Sequence, residues 1–212
     1  MRPLSITFLS LFAAASSCLH AGTATYRNAV LADNPIAYWE MDEPSGASTA
    51  ADAAGTPQPG TYQNVTLAQA SAFSNLGTCG LFNGTTSRVA IAADAAFELG
   101  TGDFTVETWA RTPVTSRGDV FNYKNAQDFG IFLNASASGS ISGWHNGQLP
   151  GYTGAIDTWN HIAFTRTAGT IRLYVNGVER GSQANTQSFS ANAQMFIGSN
   201  HGGAPGYAMA IP

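Results

Sequence analysis

The residues of this chain able to bind or transform something fall into two stretches. One is Glu40-Met41-Asp42-Glu43, three carboxylates in four residues, with Asp52 in the loop that follows. The other is Trp144-His145-Asn146-Gly147-Gln148, with Tyr152 in the next loop. An indole there can stack on a pyranose while the amides of Asn146 and Gln148 reach its hydroxyls, the mixture of apolar platform and placed polar groups that small-molecule sites use. Trp144, Asn146, Gln148 and Tyr152 are therefore the candidate carbohydrate-binding residues. The competing reading of Trp144 is core, as for Trp39, Trp109 and Trp159, because aromatic rings dominate the interiors of small domains. Catalysis has no comparable support. Glu98, Glu107 and Glu179 stand alone, and Gly-x-Ser-x-Gly, His-Glu-x-x-His and phosphate-loop patterns are all missing. The four histidines do not cluster; His161 is expected to be a core or interfacial residue bonded to backbone.

The elements that would carry these residues read as strands. In Trp159 to Gly181, Ile162 and Phe164 alternate with polar or small neighbours, and Ile171, Leu173 and Val175 repeat the pattern. Period-two alternation describes strands with one buried face. Thr167-Ala168-Gly169-Thr170 is the first turn, and Asn176-Gly177 supplies a two-residue hairpin whose central positions need positive φ. The segment is a β-meander. Upstream, strands are expected at Ile36 to Met41, Tyr62 to Leu67, Leu81-Phe82, Val89 to Ile91, Phe104 to Ala110, Val120 to Tyr123, Phe129 to Asn134 and Ser140 to Trp144. Tyr26 to Leu31 reads as a short lead-in, and Asp94 as the N-cap of one helical turn. Strand signals every eight to twelve residues argue for a sandwich or barrel.

Several segments together carry a family likeness: Ala37-Tyr38-Trp39-Glu40-Met41-Asp42-Glu43, Leu81-Phe82-Asn83-Gly84, Gly102-Asp103-Phe104-Thr105-Val106-Glu107-Thr108-Trp109, the meander, and Met195-Phe196-Ile197-Gly198. In this order they resemble the laminin-G-like jellyrolls of the concanavalin A-like lectin/glucanase superfamily. The resemblance implies an all-β, two-sheet antiparallel jellyroll sandwich. It implies a secreted, non-catalytic module for glycan or glycoprotein recognition and adhesion, whose partners are polysaccharide or a cell-surface glycoprotein. The alternative is a structural or targeting appendage of a larger surface protein or glycoside hydrolase. Glucanases of the superfamily carry Glu-x-Asp-x-x-Glu on one strand. Here Glu40-Met41-Asp42 begins that way, but Ser45 holds the place of the second glutamate, at the wrong end of the chain. No cofactor is required. The resemblance does imply calcium at the sandwich rim, with Asp42 or Glu43 and Asp52 as oxygen ligands; otherwise Asp42 caps a turn and Asp52 is solvated. Relatives end in a closing strand with an Ile-Asp-Glu-Val-like run. Beyond Gly198 this chain runs through Gly202, Gly203, Pro205 and Gly206 to Pro212 without one. A C-terminally incomplete jellyroll, a fragment, is the expectation.

Composition narrows the setting. The 212 residues suit one all-β domain with a sizeable core. Lys124 is the sole lysine, the net charge is −4, and no basic patch exists, which excludes nucleic acid as a partner. Arg2 and the apolar run Leu4 to Ala15 read as a signal peptide too short to span a bilayer, cut after Ala21. The organisation is thus a signal peptide over 1–21 and a jellyroll over 26–212, placed outside the cell or at its surface, with no transmembrane segment. If Cys18 leaves with the signal, Cys79 is unpaired and is expected to be a small buried thiol.

Overall fold

The computed structural model describes residues 23–73, 77–111, 118–123, 129–133, 140–145, 149, 152–153, 157–189, 194–199 and 208–211. Residues 1–21, read from the sequence as a signal peptide, lie outside them. A helix, α1 (Thr23–Ala32), comes first. Then follow β1 (Thr49–Ala50), β2 (Gly60–Gln63), β3 (Thr66–Ala70), β4 (Thr78–Asn83) and β5 (Arg88–Ile91). A 3₁₀ turn at Ala95–Phe97 precedes β6 (Phe104–Ala110), β7 (Gly118–Tyr123), β8 (Phe129–Leu133), β9 (Ser140–His145) and β10 (Tyr152–Thr153). The meander supplies β11 (Asn160–Thr167), β12 (Thr170–Val175) and β13 (Val178–Ala184), and β14 (Met195–Ile197) and β15 (Ala208–Ile211) complete the strands.

Every ladder is antiparallel. One sheet has eight strands in the order β1-β2-β5-β14-β7-β8-β9-β10; the others run β13-β12-β11-β6 and β15-β4-β3. Both smaller sheets cover the same side of the large one. A Cβ built on Gly143 of β9 would fall 2.4 Å from the Phe164 ring of β11, and one on Gly198, just after β14, would strike Phe82 of β4. The architecture is the jellyroll sandwich read from the sequence. Its core holds Ile91, Tyr123, Ile131, Ile141, Met195 and Ile197 from the large sheet, with Phe82, Ile162, Phe164, Ile171 and Leu173 opposite. Burying each such side chain is worth about 1.5–3 kcal/mol.

Two charged residues are buried among those described, Asp119 and Arg166, and the arginine braces loops. Arg166 of β11 is 1% exposed and donates to the carbonyls of Gly102, Gln187 and Gly100, each at 2.7 Å. Its Cζ sits 5.1 Å from the Phe104 ring centroid and 4.7 Å from that of Phe189. The guanidinium thereby ties the loop before β6 to the segment after β13, where Gly100 and Phe189 also pair backbone to backbone. Burial lowers its pKa from the ordinary arginine value.

The meander forms as expected, with Asn176 and Gly177 at φ 52° and 76°. Asp94 caps the 3₁₀ turn by accepting from Ala96 N at 2.8 Å. Cys79 is buried, and desolvation pushes its thiol up to about 11. Four expectations differ. Tyr26 to Leu31 belongs to a helix, not a lead-in. Ile36 to Met41 is not a strand: only Trp39 pairs, bridging Asp52, and Met41 turns at φ 53° to drop its side chain into the core. Tyr62 to Leu67 is divided between β2 and β3, because Asn64 takes φ 51° and turns the chain. Lastly, a strand does follow Gly198: Ala208–Ile211 pairs with Gly80–Asn83, so the outer side of β4 is not left open.

The first turn of the meander puts Ala168 as well as Gly169 at positive φ, 47° and 71°. An alanine in this left-handed region is strained by about 1–2 kcal/mol. Ala168→Gly is expected to stabilise the domain by about 0.5–1 kcal/mol, read as an increased urea midpoint at constant m-value.

Candidate functional site

The acidic candidates do not meet at a metal position. Asp52 Oδ1 accepts from Tyr38 N at 2.7 Å and Ala54 N at 2.9 Å, and its Oδ2 from Gln58 N at 2.7 Å. Glu43 accepts from Ala51 N at 2.6 Å and from the Tyr62 hydroxyl at 2.5 Å. Burial first, and then this bond to Glu43, raises the Tyr62 pKa. Asp42 is exposed. Among the described residues no three His, Cys, Asp or Glu side chains are grouped to hold a metal ion. The expected donor set of Asp42, Glu43 and Asp52 therefore does not fit calcium. Nor is Asp52 merely solvated. With Glu43 it fastens the loop from Pro44 to Gly60, with Trp39 Nε1 donating to Gln58 O at 2.9 Å.

The aromatic candidates are divided by the sheet. Asn146 and Gln148 lie outside the described residues. Position 144 pairs with Gly130, whereas Tyr152 pairs with Ile141, three positions away on β9 and so on the opposite side. Tyr152 packs against the core, and the Arg180 guanidinium sits 3.8 Å from its ring centroid. Trp39 likewise packs against the core.

Sequence reasoning missed the side of the large sheet turned away from the core. Register places Thr49, Thr61, Ala90, Phe196, Asn122, Gly130 and position 144 in one row across seven strands. The next row on that side contains the Gln63–Arg88 pair and, beyond β14, Asp119, position 132 and Ser142. Phe196, Asn122, Asp119, Ser140 and Ser142 are all buried, yet none belongs to the apolar core. Asn122 Oδ1 and Ser142 Oγ have no hydrogen-bond partner among the described residues. Toward β2 and β5 the face opens. Thr49 and Thr61 are exposed, and Arg88 Nε donates to Gln63 Oε1 at 2.6 Å with Cζ 5.5 Å from the Phe196 ring centroid. Such a face presents amide, hydroxyl and guanidinium groups beside a phenyl ring. It can hydrogen-bond a polar ligand. The signal in the sequence was the polar half of alternating strands, Asp119/Asn122 and Ser140/Ser142, which reads at first as ordinary solvent-facing residues.

A family model described as the concanavalin A-like lectin/glucanases superfamily, in its laminin G form, matches residues 83–211. The chain belongs to that superfamily. Two solved structures share the laminin-G-like fold. Domain 4 of AbnA, a GH43 extracellular arabinanase from Geobacillus stearothermophilus solved in complex with arabinotriose, is 18% identical. The match covers 76% of this chain and 84% of that one, with a TM-score of 0.54. A mutant Trypanosoma rangeli sialidase displaying trans-sialidase activity is 11% identical, covering 81% of this chain but 29% of the sialidase, with a TM-score of 0.59. At these identities the likeness is one of fold. Comparison with curated proteins finds no match. No helix among the described residues of this laminin-G-like domain is long and apolar enough to cross a membrane.

A second polar cluster lies on the outer side of the four-stranded sheet. His161 Nε2 is 3.6 Å from Glu107 Oε2, and its ring is 5.3 Å from that of Trp109, so its partners are side chains and not the backbone expected from sequence. Phe73 meets Trp109 edge-on at 5.1 Å. His161 lowers the Glu107 pKa below the ordinary 4.5. A carboxylate with a lowered folded-state value contributes stability above its unfolded value, and that contribution disappears as pH falls through the folded one. Glu107→Gln is therefore expected to narrow the stability difference between pH 7 and pH 3, measured as urea midpoints. Asp52→Asn should cost about 1–3 kcal/mol, since an amide NH₂ then faces backbone N–H groups. Adding calcium or EDTA should leave the melting temperature unchanged.

Proposed function

We propose that this domain is a secreted, non-catalytic module that recognises glycan, on a polysaccharide or a cell-surface glycoprotein, through the outward face of its eight-stranded sheet. The observation that carries this reading is the open end of that face, where the Arg88 guanidinium and the Gln63 amide lie beside exposed Thr49 and Thr61. Sugar hydroxyls supply both donors and acceptors to such groups. The arabinanase domain of similar fold was solved with arabinotriose, a ligand of this class. A non-catalytic role is supported by the way carboxylates are used. Glu40 pairs with Arg27, Glu43 and Asp52 hold backbone, Glu107 faces His161, and Glu179 lies near Arg172. Secretion rests on the apolar N-terminal run.

A second reading, an appendage of a longer surface protein or hydrolase, is favoured by the sialidase match, where the similar region is under a third of the enzyme. The two readings are compatible until ligand binding is measured.

Replacing an exposed surface side chain usually changes stability by no more than about 0.5 kcal/mol. Thr49→Ala and Thr61→Ala are thus expected to leave the melting temperature nearly unchanged while weakening retention on immobilised glycans about five- to tenfold. Retention unchanged in both variants would contradict the outward face as the binding surface.

A further inference from the structure

The arginine on the outward face points to the class of sugar, an inference that rests on the glycan-binding reading of that face. Most described arginines are committed elsewhere. Arg27 meets Glu40 at 2.9 Å, Arg111 meets Asp157 at 2.7 Å, and Arg172 lies 3.7 Å from Glu179. Arg166 is spent on three carbonyls, and Arg180 covers Tyr152. Arg88 has no carboxylate within ion-pair distance among the described residues. It is nonetheless held in place, half-buried, with Nε donating to Gln63 and the guanidinium beside Phe196.

With Nε spent on Gln63, the edge formed by the two Nη groups remains, and it has no hydrogen-bond partner among the described residues. A planar guanidinium fixed in one orientation with that fork uncommitted matches a carboxylate in two parallel hydrogen bonds. Thr61 stands on the same face, one row from Arg88 on the neighbouring strand, and is exposed, so the fork and a hydroxyl lie side by side. We propose that Arg88 selects acidic glycans. The carboxylate of a uronic acid residue pairs with the Nη fork, and a hydroxyl of the same or the adjoining sugar bonds to the Thr61 hydroxyl. Asp119 shares the face, but β14 lies between it and Arg88, and Asp119 has an interaction of its own. The net charge of −4 offers no long-range attraction to a polyanion. Selection therefore comes from one short-range pair, and salt weakens it only modestly.

The test is affinity electrophoresis of the intact protein in polygalacturonate and in alginate, each beside its carboxyl-reduced neutral counterpart, with dextran sulfate as a separate arm. The wild type is expected to bind at least one uronate polymer about tenfold more tightly than its reduced form. R88Q should abolish that preference, and R88K should restore only part of it, because an ammonium cannot form the two parallel bonds. Melting curves of both variants check that they are folded. Equal binding of native and reduced polymers by the wild type, a preference that survives R88Q, or binding that follows sulfate and ignores uronate would each overturn the proposal. Neutral binding that depends on Thr61, without a uronate preference, would remove Arg88's role and leave the outward face standing. Binding indifferent to Thr49 and Thr61, or absent for every polymer, would remove both.

Discussion

The two layers of the sandwich meet where the Phe164 ring lies over Gly143, and that contact decides which side of β9 faces the core. No other residue type fits there without displacing the ring. Because side chains alternate along a strand, fixing Gly143 inward sends Ser140 and Ser142 to the other side. The β8 and β7 ladders carry the same parity to Asn122 and Asp119. A slip of one residue would put these polar groups into the core and expose Ile131 and Ile141 instead. The outward polar face is thus a consequence of core packing, not an independent feature.

Arg166 plays the complementary part at one end of the sandwich. It gathers three carbonyls of the loops around Gly100 and Gln187, one of which, Gly100 O, also accepts from Phe189 N. Asp52 and Glu43 do the same for the N-terminal segment with two carboxylates. In both places a charged side chain binds backbone across a long sequence separation. Charge-assisted bonds of this kind are stronger than neutral ones, which suits them to holding loops that have no ladder of their own.

This division explains what the sequence made legible. Strands with a continuous alternation, Asn160–Thr167 and Thr170–Val175 above all, were readable because one face is fully buried. Ile36 to Met41 misled because its apolar content reflects a coil anchored by Asp52, and no local pattern announces a carboxylate fourteen residues away. Ala208–Ile211 was missed because a four-residue strand, Ala-Met-Ala-Ile, is apolar throughout and shows no alternation of polar and apolar positions. The acidic cluster looked like a metal site for a related reason: calcium and backbone N–H groups both attract carboxylates, and only geometry separates them. The same holds for the binding face. Trp144 and Tyr152 are close in sequence, yet register puts their positions on opposite sides, while Arg88, Asn122 and Ser142 are far apart in sequence and share one.

Ligand is expected to contact the outward face of the eight-stranded sheet at its open end. Amide NMR of the ¹⁵N-labelled protein, titrated with arabinotriose and with trigalacturonate, tests this residue by residue. Shifts should concentrate at Arg88, Gln63, Thr49 and Thr61, with the Asp52 loop and the outer side of the four-stranded sheet unmoved. Shifts confined to the Asp52 loop, or to the His161 and Glu107 side, would contradict it.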